Sequence, residues 1–193
     1  TGSNKDDFSI SSRINGRACV DSVITSLPFF HTNILDGSMG DDWDFDEFPN
    51  DTVDYAYQLT LNTSRNIYVD TCDPLTDFDT MLGIFDTCGN SITVNSSWSD
   101  DGLDDFCPEA GVDPPNWASI LDSVYLEAGT YYIVVTGFAS TIPTGNYAIA
   151  IGTLPQIISS DIADDDSYLE IRFSENMFTE ATGSGVLEPS DFE

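Results

Sequence analysis

Basic residues are scarce in this sequence: Lys and Arg number 5 against 34 Asp and Glu, for a formal net charge of −29. A surface of that sign repels nucleic acid and anionic membranes, so neither is an expected partner. After Arg65 the next Lys or Arg is Arg172. The carboxylates between them lack basic neighbours in the sequence, and must face water, cap backbone N–H groups or bind cations. Histidine is rarer still. His31, the single copy, lies in the apolar run "LPFFHTN", where a packed or capping residue is the ordinary reading, and a nucleophilic triad needs a histidine within reach of Ser or Cys. With one histidine and no C-x-x-C pair, zinc is not expected. No stretch approaches the roughly 20 apolar residues of a membrane-spanning helix. The N-terminal "TGSNKDDFSIS" lacks the basic and apolar regions of a signal peptide, so any export signal is expected to have been removed or to lie outside this chain. Phosphate-cradling glycine loops and basic clusters for sulfated or phosphorylated ligands are missing. Carboxylates are so numerous that chance pairs single out no glycosidase site.

What is present reads as strand. Hydrophobic residues make up 40% of the 193 positions, enough for one well-buried domain and a remainder. Period-two alternation recurs in "VDYAYQLTL" (53–61), "NIYVDT" (66–71), "MLGIFD" (81–86), "SITVN" (91–95), "ILDSVYLE" (120–127), "TYYIVVTG" (130–137) and "NYAIAIG" (146–152). These short strands between turn residues predict an all-β fold, an antiparallel β-sandwich of jelly-roll-like character. "NTSR", "TCGN", "AGT" and "IPTGN" read as hairpin turns. Only "RACVDSVITSL" (17–27) offers a short helix. In "YAIAI", Tyr147, Ile149 and Ile151 belong to a core face, while Ala148 and Ala150 leave room for close approach on the other. Three segments result: 1–16, an N-terminal extension or strand around "DDFSISS"; 17–153, the sandwich; and 154–193, two or three strands that cannot close a sandwich by themselves.

The four cysteines, Cys19, Cys72, Cys88 and Cys107, form an even set suited to disulfides in an oxidising compartment. If strands 66–71 and 80–86 share one rim to which 91–97 returns, Cys72 meets Cys107 and Cys19 is left for Cys88. The alternative joins Cys88 to Cys107. Three sequons, at Asn50 ("NDT"), Asn62 ("NTS") and Asn95 ("NSS"), agree with a secreted glycoprotein carrying N-linked glycans. Asp100, Asp101, Asp104 and Asp105 lie in the glycine-containing "SDDGLDDF", and Asp77 and Asp79 approach them on the same rim. Oxygen-rich loops without basic partners suit calcium, although Asp77 and Asp79 serve equally as turn caps. A second acidic run, "DDWDFDE" (41–47), is a weaker calcium candidate, because its alternation also fits an edge strand with its acids in water.

The series "DTVDYAYQLTL", "FDTMLGIFD", "SDDGLDDFC", "SILDSVYLEAGTYYIVVTGF" and "TGNYAIAIG" resembles the bacterial pre-peptidase C-terminal domain over roughly Cys19 to Thr153. The resemblance implies a secreted β-sandwich that accompanies peptidases and surface proteins and is not itself an enzyme. The four cysteines and the insertion around "DFCPEAGVDPPNWAS" depart from its simplest members. "SYLEIRFSENM" with "LEPSDFE" resembles the opening of an immunoglobulin-like repeat of bacterial surface proteins, here incomplete. The function expected is therefore a non-catalytic extracellular or cell-surface structural module, a homo-oligomer joined head to tail through terminal strands into a filament or appendage. On that reading, removal of 155–193 leaves a folded monomer. The alternative is a glycan- or substrate-targeting domain of a secreted hydrolase, for which Trp43, Trp98 and Trp117 are the candidate aromatics.

Overall fold

The computed structural model describes residues 13–14, 17–43, 45, 52–88, 93–100, 117–138, 144–154, 157–162 and 169–173. Its strands are β1 (Arg13–Ile14), β2 (Arg17–Ala18), β3 (Ser22–Ile24), β4 (Phe29–Leu35), β5 (Asp54–Leu61), β6 (Arg65–Asp70), β7 (Thr80–Phe85), β8 (Trp98–Ser99), β9 (Ile120–Leu126), β10 (Gly129–Gly137) and β11 (Gly145–Thr153), followed by β12 (Ile157–Ile162) and β13 (Leu169–Phe173). No α-helix occurs among the described residues. Five strands form one sheet in the order β3-β5-β10-β7-β8, and four form a second in the order β4-β11-β6-β9. Within these sheets every pairing is antiparallel except β3 with β5. The protein is an all-β sandwich. Residues 154–193 form a separate unit in which β12 and β13 pair antiparallel.

From β3 to β11 the chain changes sheet at every connection but one, β7 to β8. "NTSR" and "AGT" are consequently arches between sheets and not hairpins, and β10 and β11, which flank "IPTGN", lie in different sheets. Both devices use the same turn residues and join strands of the same alternation. They differ in whether consecutive strands lie side by side or face each other across the core, which periodicity does not encode. The strand expected at 91–95 is likewise replaced, over Val94–Ser96, by a 3-10 turn with Asn95 and Ser96 at φ 52° and 58°. The segment 17–27 forms β2 and β3, not a helix. Asp21 N–H donates to the Ala56 carbonyl and the Asp21 carboxylate accepts the Ala56 N–H at 2.8 Å, docking the segment on β5 in place of local helical bonds.

The main core lies between the sheets, where Tyr57, Leu59, Ile84, Ile133 and Val135 meet Leu35, Ile67, Val69, Ile149 and Ile151. A second cluster covers the outer face of the five-stranded sheet: Cys19, Trp43 and Phe45 pack on Ala56, Met81, Phe85 and Val134. Trp43 sits 4.9 Å from the Phe85 ring and 5.3 Å from Tyr132. That double burial is why β7, "TMLGIF", is apolar without alternation and buried throughout. A Cβ on Gly83 would overlap the Phe45 ring, so the covering strap fits only over glycine. "DDWDFDE" thus supplies part of this strap through the buried Trp43 and Phe45. On the four-stranded sheet, β4 alternates between half-buried and exposed residues until Leu35.

Candidate functional site

Strand ends at one rim bring together four hydroxyls. Thr71 follows β6, Thr80 opens β7, Ser119 precedes β9 and Thr76 lies on the loop between β6 and β7; all four are fully buried. The Thr71 and Thr80 hydroxyls are 2.7 Å apart. Ser119 N–H is shared between them at 2.9 and 3.0 Å, and Thr76 Oγ1 donates to the Thr71 carbonyl at 2.6 Å. Buried polar groups are tolerated only when so satisfied. Here the satisfaction joins the two sheets where the core ends. The rim shared by β6 and β7 was legible in the sequence. The network was not, though its signal is the repeated Asp-Thr at Asp70-Thr71 and Asp79-Thr80.

Asp77, beside this rim, accepts the Asn146 N–H on one oxygen and the Asn146 side-chain amide on the other, both at 2.8 Å. It fastens the loop to β11, which is the capping role open to it in the sequence. Asp79 is adjacent in the chain to Thr80, and Asp100 is half-buried just beyond β8. Asp101, Asp104 and Asp105, the other oxygens proposed for calcium, lie outside the described residues. Among the described residues no group of three or more His, Cys, Asp or Glu is placed to hold a metal ion.

Cys19 and Cys88 form a disulfide with Cα atoms 5.5 Å apart, closing a sequence separation of 69 and pinning the strap over the five-stranded sheet. Cys72 is also disulfide-bonded; Cys107 lies outside the described residues. Asn62 is exposed in the arch after β5, and Asn95 is exposed with its amide donating to the Tyr125 carbonyl at 3.2 Å. Asn50 lies outside the described residues. The tryptophans form no common platform: Trp43 is 2% exposed on the five-stranded sheet, Trp98 is half-buried in the same cluster, and Trp117 is exposed.

Two further polar groups sit in the sandwich. Tyr57 of β5 and Tyr147 of β11 meet across the core with hydroxyls 2.8 Å apart, and His31 Nδ1 lies 2.9 Å from the Tyr57 hydroxyl. Burial pushes both phenols well above their ordinary range, so they stay neutral and bridge the sheets. His31 is accordingly a packed residue, as its apolar context implied. Asp54, 3% exposed, accepts the Asp42 N–H at 2.7 Å and the Trp43 N–H at 2.8 Å on the same oxygen. Burial drives its pKa up to about 8, outweighing the two donors, with the neighbouring Asp42 and Asp41 charges adding to the rise. Asp54 is the latch that holds the Trp43 strap, and an acid in "DTVD" beside so many others gave no sign of it.

No family model matches the chain, and no curated protein matches it. Among solved structures the chain is similar to the pre-peptidase C-terminal domain of a collagenase from Bacillus anthracis, with 13% sequence identity and a TM-score of 0.41, covering 68% of this chain and 95% of that chain.

Proposed function

We propose that the chain is a non-catalytic structural module of a secreted or cell-surface glycoprotein, of the pre-peptidase C-terminal kind, whose copies join head to tail through strands outside the sandwich. The observation that carries this reading is the unit of residues 154–193, whose described strands are the single pair β12–β13. A lone two-stranded pair is marginally stable in water and gains from a further strand or a covering face. A neighbouring copy supplies one, by strand addition along an open edge. Such a contact joins different surfaces and propagates into a filament. The sandwich supports a structural role as well: its buried hydroxyls, phenols and Asp54 are engaged in bonds that tie sheets and strap together, and a Cys19–Cys88 disulfide suits an oxidising compartment.

Electron microscopy and sedimentation of the intact chain against a variant lacking 155–193 test the proposal. Filaments are expected from the intact chain at high concentration, and from the deletion variant a folded sandwich of fixed size. An intact chain that never polymerises, or a deletion variant that still does, overturns it.

A further inference from the structure

The long edge of the four-stranded sheet is unlike the other sheet edges. β3 and β8, at the ends of the five-stranded sheet, have three and two residues. β9, the far edge of the four-stranded sheet, carries the exposed Asp122 and runs into Glu127. Shortness and charge are the usual devices that stop edges from pairing with other chains. β4 has neither. Its seven residues, "FFHTNIL", include no Asp, Glu, Lys, Arg or Pro, and its outer face presents Phe30 at 59% and Ile34 at 53% exposure. Leu75, also exposed, borders Thr32 and Ile34 in one shallow groove.

We propose that β4 is a two-fold contact between copies of this chain, pairing antiparallel with the β4 of a second copy. Two arguments select this occupant. The first is charge: copies bearing −29 each repel one another, so a contact between them belongs at an uncharged stretch, and β4 is one. The second is self-complementarity. Antiparallel pairing centred on Thr32 sets Phe30 of one copy opposite Ile34 of the other, twice, on the same face of a continuous eight-stranded sheet. The acid nearest in the sequence, Asp36, then falls opposite Pro28 and not opposite another carboxylate, while Asp77, which lines the same groove, is held by the Asn146 backbone and side-chain amides. A shift that moves the centre to Asn33 would put Asp36 opposite Phe30 and lose this match. The contact is independent of the head-to-tail reading. It joins identical surfaces and closes, whereas strands outside the sandwich join different surfaces and propagate.

A single cysteine on the two-fold axis reads the contact directly, because only there does a residue meet its own copy. Directly opposed strand residues have Cα atoms about 4.5–5.5 Å apart, within the ~4.4–6.8 Å range that a disulfide spans. The full-length Thr32→Cys variant, mildly oxidised, is therefore expected to give a covalent dimer, and a variant at Ser64, which is also exposed, Ser64→Cys, is not. Adding Ile34→Asp to Thr32→Cys is expected to cut the dimer yield at least about ten-fold, and raising salt to increase it by screening the repulsion. Failure of Thr32→Cys to cross-link, equal yields from both positions, or a yield indifferent to Ile34→Asp overturns the proposal. Hydrogen exchange separates other occupants: slow exchange of the outward β4 amides in a monomeric chain would mean that the chain's own segment covers the edge, and protection appearing only with a foreign peptide would mean a different partner. Either result also overturns it. Loss of filaments on removing 155–193, with the Thr32 cross-link retained, would separate the two assemblies.

Discussion

The two sheets of the sandwich share one core but differ on their outer faces. The five-stranded sheet carries a strap, Cys19 to Asp21 and Asp41 to Phe45, which buries Met81, Phe85 and Val134 on its far side. The four-stranded sheet exposes Phe30, Ile34 and Tyr125. The same period-two chemistry therefore gives two kinds of strand. Where both faces are covered, β7 and β10 become nearly continuous apolar runs, "TMLGIF" and "TYYIVVTG", buried almost throughout. Where one face is open, β4 keeps its alternation. Covering a face fixes a sheet's stability; leaving one open preserves a surface.

Breaking the cover is expected to have the largest effect. Trp43→Ala removes a side chain that is 2% exposed and packed in tilted contact with the Phe85 and Tyr132 rings, and large aromatic truncations in a packed setting cost about 3–5 kcal/mol. Chemical denaturation should show that loss, with the four-stranded sheet's exposed aromatics contributing nothing comparable when truncated. A loss below about 1 kcal/mol would mean that the strap is an ornament on the sheet and not part of its core.

The latch beneath the strap provides a pH-dependent test. Asp54 has its folded pKa raised to about 8 from the ordinary 3.8, so between those values the folded protein holds a proton that the unfolded chain has released. Its contribution is fully present below about pH 4, falls as pH rises and is lost above about pH 8, with a slope approaching 1.4 kcal/mol per pH unit for one proton. Asp54→Asn stays neutral, and its side-chain carbonyl still accepts the Asp42 and Trp43 N–H groups, both of which go to one oxygen. The variant should match the wild type near pH 4 and be more stable than it near pH 8, by a few kcal/mol at most. Parallel stability curves for the two proteins over that range would show that Asp54 is ionised in the folded state.

The difference between these sheets explains how much was legible in the sequence. Strand positions were, because alternation and turn residues report locally: β5, β6, β7, β9, β10 and β11 fall where "VDYAYQLTL" through "NYAIAIG" predict them. Sheet membership was not. "NTSR" between β5 and β6 looks the same whether the strands pair or face each other, and only long-range contact decides. β4 escaped notice because "LPFFHTN" read as apolar packing around His31, and β3 because "RACVDSVITSL" also suits a helix until Asp21 finds Ala56. Of the candidate site, the rim was visible in the ends of the strands read at 66–71 and 80–86, while the hydroxyl network it holds was not. Nor was the Trp43 strap, because in "DDWDFDE" the aromatics alternate with acids, a pattern that names no covering partner.

The smallest expected effect sharpens the comparison from the other side. Phe30 is as aromatic as the residues beneath the strap, and a rule that equates hydrophobicity with core would predict a large loss on Phe30→Ser. Its 59% exposure argues otherwise, since a side chain already in water gives up little burial when truncated. What remains is its β-propensity and its cross-strand neighbour Ala150, each worth a few tenths of a kcal/mol. Phe30→Ser should therefore change stability by no more than about 0.5 kcal/mol, measured by denaturation at low protein concentration, where association between copies adds nothing. A loss above about 1.5 kcal/mol under those conditions would place Phe30 against a covering layer of its own chain, and the four-stranded sheet would then be as closed as its partner.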